Sequence, residues 1–229
     1  MHNKISTLSK ISGFCLAVML GILGLSATAH AEGYYSNEYA KSGFYIGYIF
    51  PYNSVRGSFS GDEILYAGNE LILIPKFQDA SGFGVAFGGK FSKGAIEFTY
   101  LKSKHSISWM GAEGTATYQM VTIDFKRFFL NKRRTQPFIL AGASFPWITA
   151  DDCAADYYNT GDANFRGIGL NVGGGLSFYF HPRISLSAGA VYRLIFYTTA
   201  KGVGGEWGEL EDLFWGNGLN SNVSLNFTF

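Results

Sequence analysis

Apolar and polar residues alternate with a period of two in segment after segment of this chain. From Val223 on, Val223, Leu225, Phe227 and Phe229 fall on one side, and Asn222, Ser224, Asn226 and Thr228 on the other. Successive strand side chains point to opposite faces, so this period predicts a strand with one apolar and one polar face. The same rhythm predicts a first strand over about Gly43 to Tyr52. There Phe44, Ile46, Tyr48 and Phe50 oppose Tyr45 and Gly47, with Ile49 an apolar exception. A second strand, about Gly82 to Phe91, sets Phe83, Val85, Phe87 and Phe91 against Gly84, Ala86, Gly88 and Lys90. After the tight turn Ser92-Lys93-Gly94, a third runs from Ala95 to Lys104, with Ile96, Phe98 and Tyr100 opposite Glu97 and Thr99. Two strands joined so closely form an antiparallel hairpin.

The fourth strand, about Thr115 to Phe129, alternates Val121, Ile123 and Phe125 with Thr122, Asp124 and Lys126. The basic turn Asn131-Lys132-Arg133-Arg134 leads to a fifth strand, Gln136 to Ile148. Its facing is open, because Phe138 and Leu140 compete with Ile139, Ala141 and Phe145. Pro146 predicts a bulge or a strand end there. The sixth strand sets Ile168, Leu170, Val172, Leu176, Phe178 and Phe180 against Gly169, Asn171, Gly173, Gly175, Ser177 and Tyr179. His181-Pro182-Arg183 turns the chain into a seventh, whose face of Ile184, Leu186, Tyr192, Leu194 and Phe196 opposes Ser185, Ser187, Gly189 and Arg193. The eighth spans about Gly218 to Phe229.

Connections between these eight strands alternate in length. Residues 51–81, 105–114, 149–163 and 200–217 form long ones, and 92–94, 130–135 and 181–183 short ones. Short turns at one end and long loops at the other predict a membrane-spanning barrel with both termini on the turn side. The polar faces are rich in Gly, Ser, Thr, Ala and Asn, which suit the narrow interior of eight strands; the large apolar faces then belong against lipid. Phe91, Phe129, Phe180 and Phe229 are expected near the inner interface, and Phe50, Tyr100 and Phe196 near the outer one. The expected fold is therefore all-β, an eight-stranded antiparallel up-and-down transmembrane β-barrel.

The amino-terminal segment adds a compartment. Lys4 and Lys10 precede an apolar run from Ile11 to Leu25, followed by Ala29-His30-Ala31. This reads as a secretory signal peptide over residues 1–31, with the barrel domain at 32–229. The run is shorter than the ~20 residues of a spanning helix. Cleavage removes two lysines and takes the formal charge from +1 to −1, so no basic excess suggests nucleic acid. It also leaves Cys153 as the one cysteine, hence no internal disulfide. High Gly and aromatic content, 30 glycines and 17% Phe, Trp and Tyr, fits a β-barrel rather than a helical bundle.

Together these features resemble the small eight-stranded outer-membrane β-barrel superfamily, which includes OmpA-like, OmpX-like and OmpW-like proteins. The resemblance rests on the leader, the short turns, the Gly-aromatic strands and a last strand ending on Phe229. It implies a place in the bacterial outer membrane, contact with its lipid and lipopolysaccharide, and recognition of Val223, Leu225, Phe227 and Phe229 by the barrel-assembly machinery. A peptidoglycan-binding domain is not expected after Phe229.

Chemistry-bearing residues are few. Lys90, Glu97, Asp124, Lys126 and Arg193 fall on predicted inward faces, where unpaired charges are costly, so a buried ion network is expected, with Lys90 and Glu97 as one pair. The bland reading is a plug that holds the barrel together; OmpA-like barrels suggest a gate or ion path instead. Val191 and Ile195 make the upper lumen partly apolar, so an OmpW-like channel for small apolar solutes is the alternative. In the first loop, Ile64-Leu65-Tyr66 and Leu71-Ile72-Leu73-Ile74 suggest a hairpin above the membrane, an element in the barrel mouth, a partner-binding edge, or two further strands. The acidic run Asp151-Asp152-Cys153-Ala154-Ala155-Asp156, with Asp162 and Asn164, matches no defined cation loop, and neither metal nor cofactor is expected. His105 and His181 are the histidines beyond the leader. His105 and Ser106 point to opposite faces, as do His105 and Ser108, so no triad-like arrangement supports an enzyme. The expected role is structural or surface-interacting, through the outer loops.

Overall fold

The computed structural model describes residues 39–57, 63–67, 70–109, 112–156, 159–201 and 207–229. The proposed signal peptide lies outside the described residues. Among the described residues, twelve strands form one hydrogen-bonded assembly. In chain order they are β1 (Gly43–Asn53), β2 (Arg56–Gly57), β3 (Glu63–Ala67), β4 (Glu70–Ile74), β5 (Lys76–Phe77) and β6 (Ala80–Phe91). Then follow β7 (Gly94–Trp109), β8 (Ala112–Phe128), β9 (Thr135–Asp156), β10 (Asn159–His181), β11 (Ile184–Lys201) and β12 (Gly208–Thr228).

Eight of these, β1 and β6 to β12, make the wall. Each pairs antiparallel with its neighbour in sequence, and β1 pairs with β12 from Tyr45↔Thr228 to Asn53↔Asn220, which closes the ring. Closure leaves no open edge in the wall, so the first and last strands pair their backbone groups with each other rather than presenting them to lipid. The outward faces carry the large apolar side chains: Phe44, Phe87, Phe180 and Phe229 are 78%, 60%, 57% and 62% exposed. A continuous band of exposed aromatics and aliphatics is a membrane-contacting surface. Phe87 and Phe98 stack on it with ring centroids 5.3 Å apart. Its upper edge on β7 and β8 is marked by Lys102, Lys104 and Gln119, which follow Tyr100 and Val121 on the outward face.

The β9 facing follows from its neighbours. Gln136, Phe138, Leu140, Ser144 and Ile148 are buried and point inward, while Ile139 and Phe145 are exposed. Pro146 neither ends nor bulges β9 on the β8 side, contrary to expectation: it pairs in register with Met120. On the β10 side the pairing skips from Trp147↔Arg166 to Ser144↔Gly169. The proline, which has no N–H to give, sits where that ladder is interrupted.

Three predicted long loops are largely strand instead. β9 and β10 are 22 and 23 residues long, about twice the ~9–11 a tilted spanning strand needs. The β7–β8 hairpin pairs as far as Trp109↔Ala112. The wall thus continues past the lipid band as a paired extension. The first connection also differs from a plain loop. β2 pairs with β12, β5 pairs with β7, and β3–β4 is a hairpin joined to β12 at Leu210↔Ala67, with β4 lying close to β9. This segment crosses the barrel mouth as a strap. With five residues each, β3 and β4 do not span.

Candidate functional site

Inward side chains close the lumen at two levels. The level nearer the short turns is polar. One row of cross-strand partners runs Tyr45, Gly88, Glu97, Asp124, Gly142, Asn171 and Arg193, each directly opposite the next. Residues as far apart in sequence as Tyr45 and Gly88 become neighbours here because antiparallel pairing fixes who faces whom.

Glu97 and Asp124 are therefore adjacent like charges, and each is satisfied separately. Glu97 accepts from Lys126 Nζ at 2.8 Å, from Tyr45 Oη at 2.8 Å and from Thr99 Oγ1 at 3.3 Å. Asp124 accepts from Thr122 Oγ1 at 2.6 Å and Asn171 Nδ2 at 2.8 Å. Lys90 does not pair with Glu97 as expected. Its Nζ donates to Tyr179 Oη at 2.6 Å and Gln136 Oε1 at 3.1 Å, and it lies 4.4 Å from the ring centroids of Phe128 and Tyr179. Lys126 already fills the Glu97 oxygen beside Tyr45, while Lys90 stands one level closer to the turns and turns across the lumen. Arg193, 5% exposed, shares a cavity of about 30 Å³ with Glu97, Asp124 and Lys126. That is room for about two water molecules.

Contrary to a lumen of small residues only, this level also holds Tyr45, Phe128, Phe138 and Tyr179. Glycines opposite them make the space. A Cβ on Gly88 would lie 2.8 Å from Tyr45 Oη, and one on Gly175 would lie 2.8 Å from the Phe138 ring.

The upper level is apolar. Ile49, Leu101, Met120 and Ile195 from the wall pack with Phe77 and Ile74 of the strap, and with Ile107, Ile148, Phe165 and Tyr197 of the wall extension. Val191 is buried below them, beside Phe138 and Leu140. One polar chain threads this region. His105 Nδ1 is 2.7 Å from the Gln78 carbonyl. A carbonyl only accepts, so Nδ1 carries the proton and Nε2 accepts from Ser103 Oγ at 3.0 Å. Ser103 in turn accepts from Asn53 Nδ2 at 3.1 Å, and Asn53 Oδ1 accepts from Asn220. The relay therefore links β12, β1, β7 and the strap. The hydroxyl partner of His105 is thus neither Ser106 nor Ser108 but Ser103, two residues back on the same inward face. The signal was the period-two rule itself. Ser103 and His105 are 3% and 0% exposed, and the second imidazole nitrogen faces a backbone carbonyl rather than a carboxylate.

On the outer surface, Arg56 and Asp79 form an exposed pair at 3.0 Å that links β2 to the strap. Asp151 accepts from Thr115 Oγ1 at 3.1 Å, and Asn164 accepts from Thr149 Oγ1 at 2.8 Å. The side chains of Asp152, Cys153 and Asp156 lie outside the described residues. His181 is exposed in its turn, where its Nδ1 accepts from the Arg183 N–H at 3.3 Å. Val223, Leu225, Phe227 and Phe229 all point outward from β12.

No protein-family model matches the chain, and no curated protein matches its sequence. Solved structures do. Neisserial surface protein A (NspA) superposes with a TM-score of 0.54 at 13% identity, over 82% of this chain and 98% of that one. The outer membrane protein OprG from Pseudomonas aeruginosa gives 0.54 at 11% identity, over 83% and 97%. The outer membrane protein AlkL, determined in DMPC lipid bilayers, gives 0.50 at 13% identity, over 86% and 96%. At these identities the likeness is one of fold: an all-β, up-and-down antiparallel barrel of the small outer-membrane type.

Proposed function

Starting from the fold of the small outer-membrane β-barrels, we propose that this chain works in the bacterial outer membrane as a sealed barrel whose strand extension and strap form a surface for interaction outside the cell. The observation that carries this reading is the filled lumen. A pore needs a continuous water path, whereas here a hydrogen-bonded ionic layer and an apolar layer follow one another, with a cavity of only about 30 Å³ at the ionic level. The long paired strands supply a firm platform, and function in such scaffolds concentrates at exposed connections. Lipid and lipopolysaccharide are the partners of the outward faces. The row Val223, Leu225, Phe227 and Phe229 is the segment for the assembly machinery to read. Catalysis has no supporting geometry in the described residues.

The deciding experiment is single-channel conductance of the refolded protein in a planar bilayer. Silence from folded protein is the expected result. Stable steps that change when Lys126 or Arg193 is neutralised would overturn the sealed reading. A narrow pore for small apolar solutes is the second reading, favoured by the apolar upper lumen around Ile195 and Leu101; Val191, expected there, lies lower, beside Leu140. It requires the strap to leave the mouth, so deleting residues 58–79 should then open a conductance that the intact chain lacks.

A further inference from the structure

The barrel end that carries the short turns is basic, and we propose that it binds the phosphate headgroups of anionic phospholipids in the leaflet it faces. This rests on the membrane-spanning reading above. Its cations are Lys93 in the β6–β7 turn, Lys132, Arg133 and Arg134 in the β8–β9 turn, Arg183 in the β10–β11 turn, and Arg127 on the outward face of β8. Among the described residues no exposed acidic side chain accompanies Arg127, Lys132, Arg133, Arg134 or Arg183. The acids of this half of the wall, Glu97 and Asp124, point into the lumen and are 6% and 5% exposed. The opposite end mixes both signs, with Arg56, Lys76 and Lys104 beside Asp79, Glu113 and Asp162.

Apolar side chains and cations are ordered in the same way at each turn. Phe129 and Leu130 are 45% and 53% exposed and precede the run of three cations. Phe180 and Ile184 flank Arg183 on exposed outward positions. Phe91, its ring 6.2 Å from that of Phe125, precedes Lys93. An apolar group held in the acyl boundary with a cation just beyond it matches the order of acyl chain and phosphate in a leaflet. These sites sit around the rim rather than on one flank, which suits a planar partner better than a compact one.

The β8–β9 turn is also held in place. Arg133 N–H donates to the Leu130 carbonyl at 2.8 Å, and Asn131 Nδ2 donates to the Ser92 carbonyl at 2.7 Å. Buried Gln136 donates to the carbonyls of Asn131 and Arg133 at 3.0 and 3.1 Å. Leu130 takes a φ of 57°, a conformation costly for a leucine, which these bonds sustain. The turn backbone is thereby fixed while the cationic side chains project.

The test is reconstitution of the whole chain into vesicles of phosphatidylethanolamine containing a minority of phosphatidylglycerol. Lipid retained on the barrel after mild detergent release is then identified by native mass spectrometry. Enrichment of phosphatidylglycerol over its bulk share is expected, falling about fivefold per neutralised cation at low ionic strength. It should collapse in Lys132→Gln/Arg133→Gln/Arg134→Gln, persist in Lys102→Gln/Lys104→Gln, and fade at high salt. If the triple variant does not fold, Arg183→Gln alone should show the single-cation loss. Equal retention of both lipids, or enrichment indifferent to these changes, would overturn the proposal while leaving the membrane reading intact. Failure of the wild type to enter the bilayer would overturn both. Capture of soluble inorganic polyphosphate without lipid enrichment would assign the cations to a soluble partner and overturn it too.

Discussion

His105 holds the Gln78 carbonyl at 2.7 Å, a side-chain tie from the wall to the strap over the barrel mouth that adds to the β5–β7 pairing and to the Gln78 N–H bond to the Ser106 carbonyl at 2.9 Å. The imidazole is fully buried between Phe77 and Tyr118, whose rings meet it edge-on at 6.1 and 5.8 Å. It lies beyond Lys102 and Lys104, above the lipid-facing band.

Burial pulls the pKa of His105 below its ordinary 6.5, against the opposing pull of the Gln78 carbonyl and the Asp79 carboxylate. Asp79 is itself paired with Arg56. The unfolded chain then binds this proton more readily than the folded one, so stability rises with pH across the window between the two values. The strap is fully held above about pH 6.5 and loosens as pH falls from there towards the folded-state value. Amide exchange at Lys76 to Ala80 should accelerate on acidification through that window. In His105→Asn, which keeps a donor but does not titrate, the pH dependence should vanish.

Glu97 and Lys126 are 7% and 14% exposed at their side chains and lie 2.8 Å apart. Removing one partner strands the other, so Lys126→Met should cost about 3–5 kcal/mol in equilibrium unfolding from detergent. The double change Glu97→Gln/Lys126→Met should recover most of that loss. An additive double variant would show that the pair is not coupled.

Phe138 packs in the lower lumen with Phe128, Leu140 and Val191, and is 5% exposed. Phe138→Ala should destabilise by about 3–5 kcal/mol through the cavity it leaves. The reciprocal fit predicts that Gly189→Ala, whose new Cβ would lie 2.9 Å from the Gly174 carbonyl oxygen and 3.3 Å from the Phe138 ring, costs roughly 1–3 kcal/mol by overpacking. Both are read from urea midpoints at constant slope.

Val172, 59% exposed on the outward face of β10, stands between Leu176, 53% exposed, and Leu170 along the strand, within the apolar band. Val172→Arg should cost roughly 2–4 kcal/mol in a bilayer. Lys104→Ala, above the band, should change stability by less than about 0.5 kcal/mol. Equal tolerance of both changes would contradict a lipid contact at Val172.

The last strand offers a cellular test. Phe227 and Phe229 are exposed and stack edge-on at 5.2 Å. If this row is read during assembly, Phe229→Ala should lower the amount of barrel in the outer membrane while leaving refolding of purified protein nearly unchanged. A matching defect in purified refolding would point to plain loss of stability.

Period-two alternation by itself determined the class of fold, the eight wall strands and the facing of seven of them. It could, because side-chain direction in a strand depends only on parity: Lys90, Glu97, Asp124, Lys126 and Arg193 had to share a side with the glycines between them. Parity carries no information about which residues meet across the lumen. That Lys126 rather than Lys90 reaches Glu97, or that Ser103 and Gln78 bracket His105, depends on the register between strands, which pairs residues far apart in sequence. The β9 facing was hidden because apolar side chains lie on both sides of it, and only Phe138 fitting against Gly175 and Gly189 decides it. The strap was illegible for a related reason. Its short arms resemble loop in isolation and become structure only when the open mouth of a closed barrel provides an apolar surface for Ile74 and Phe77 to cover.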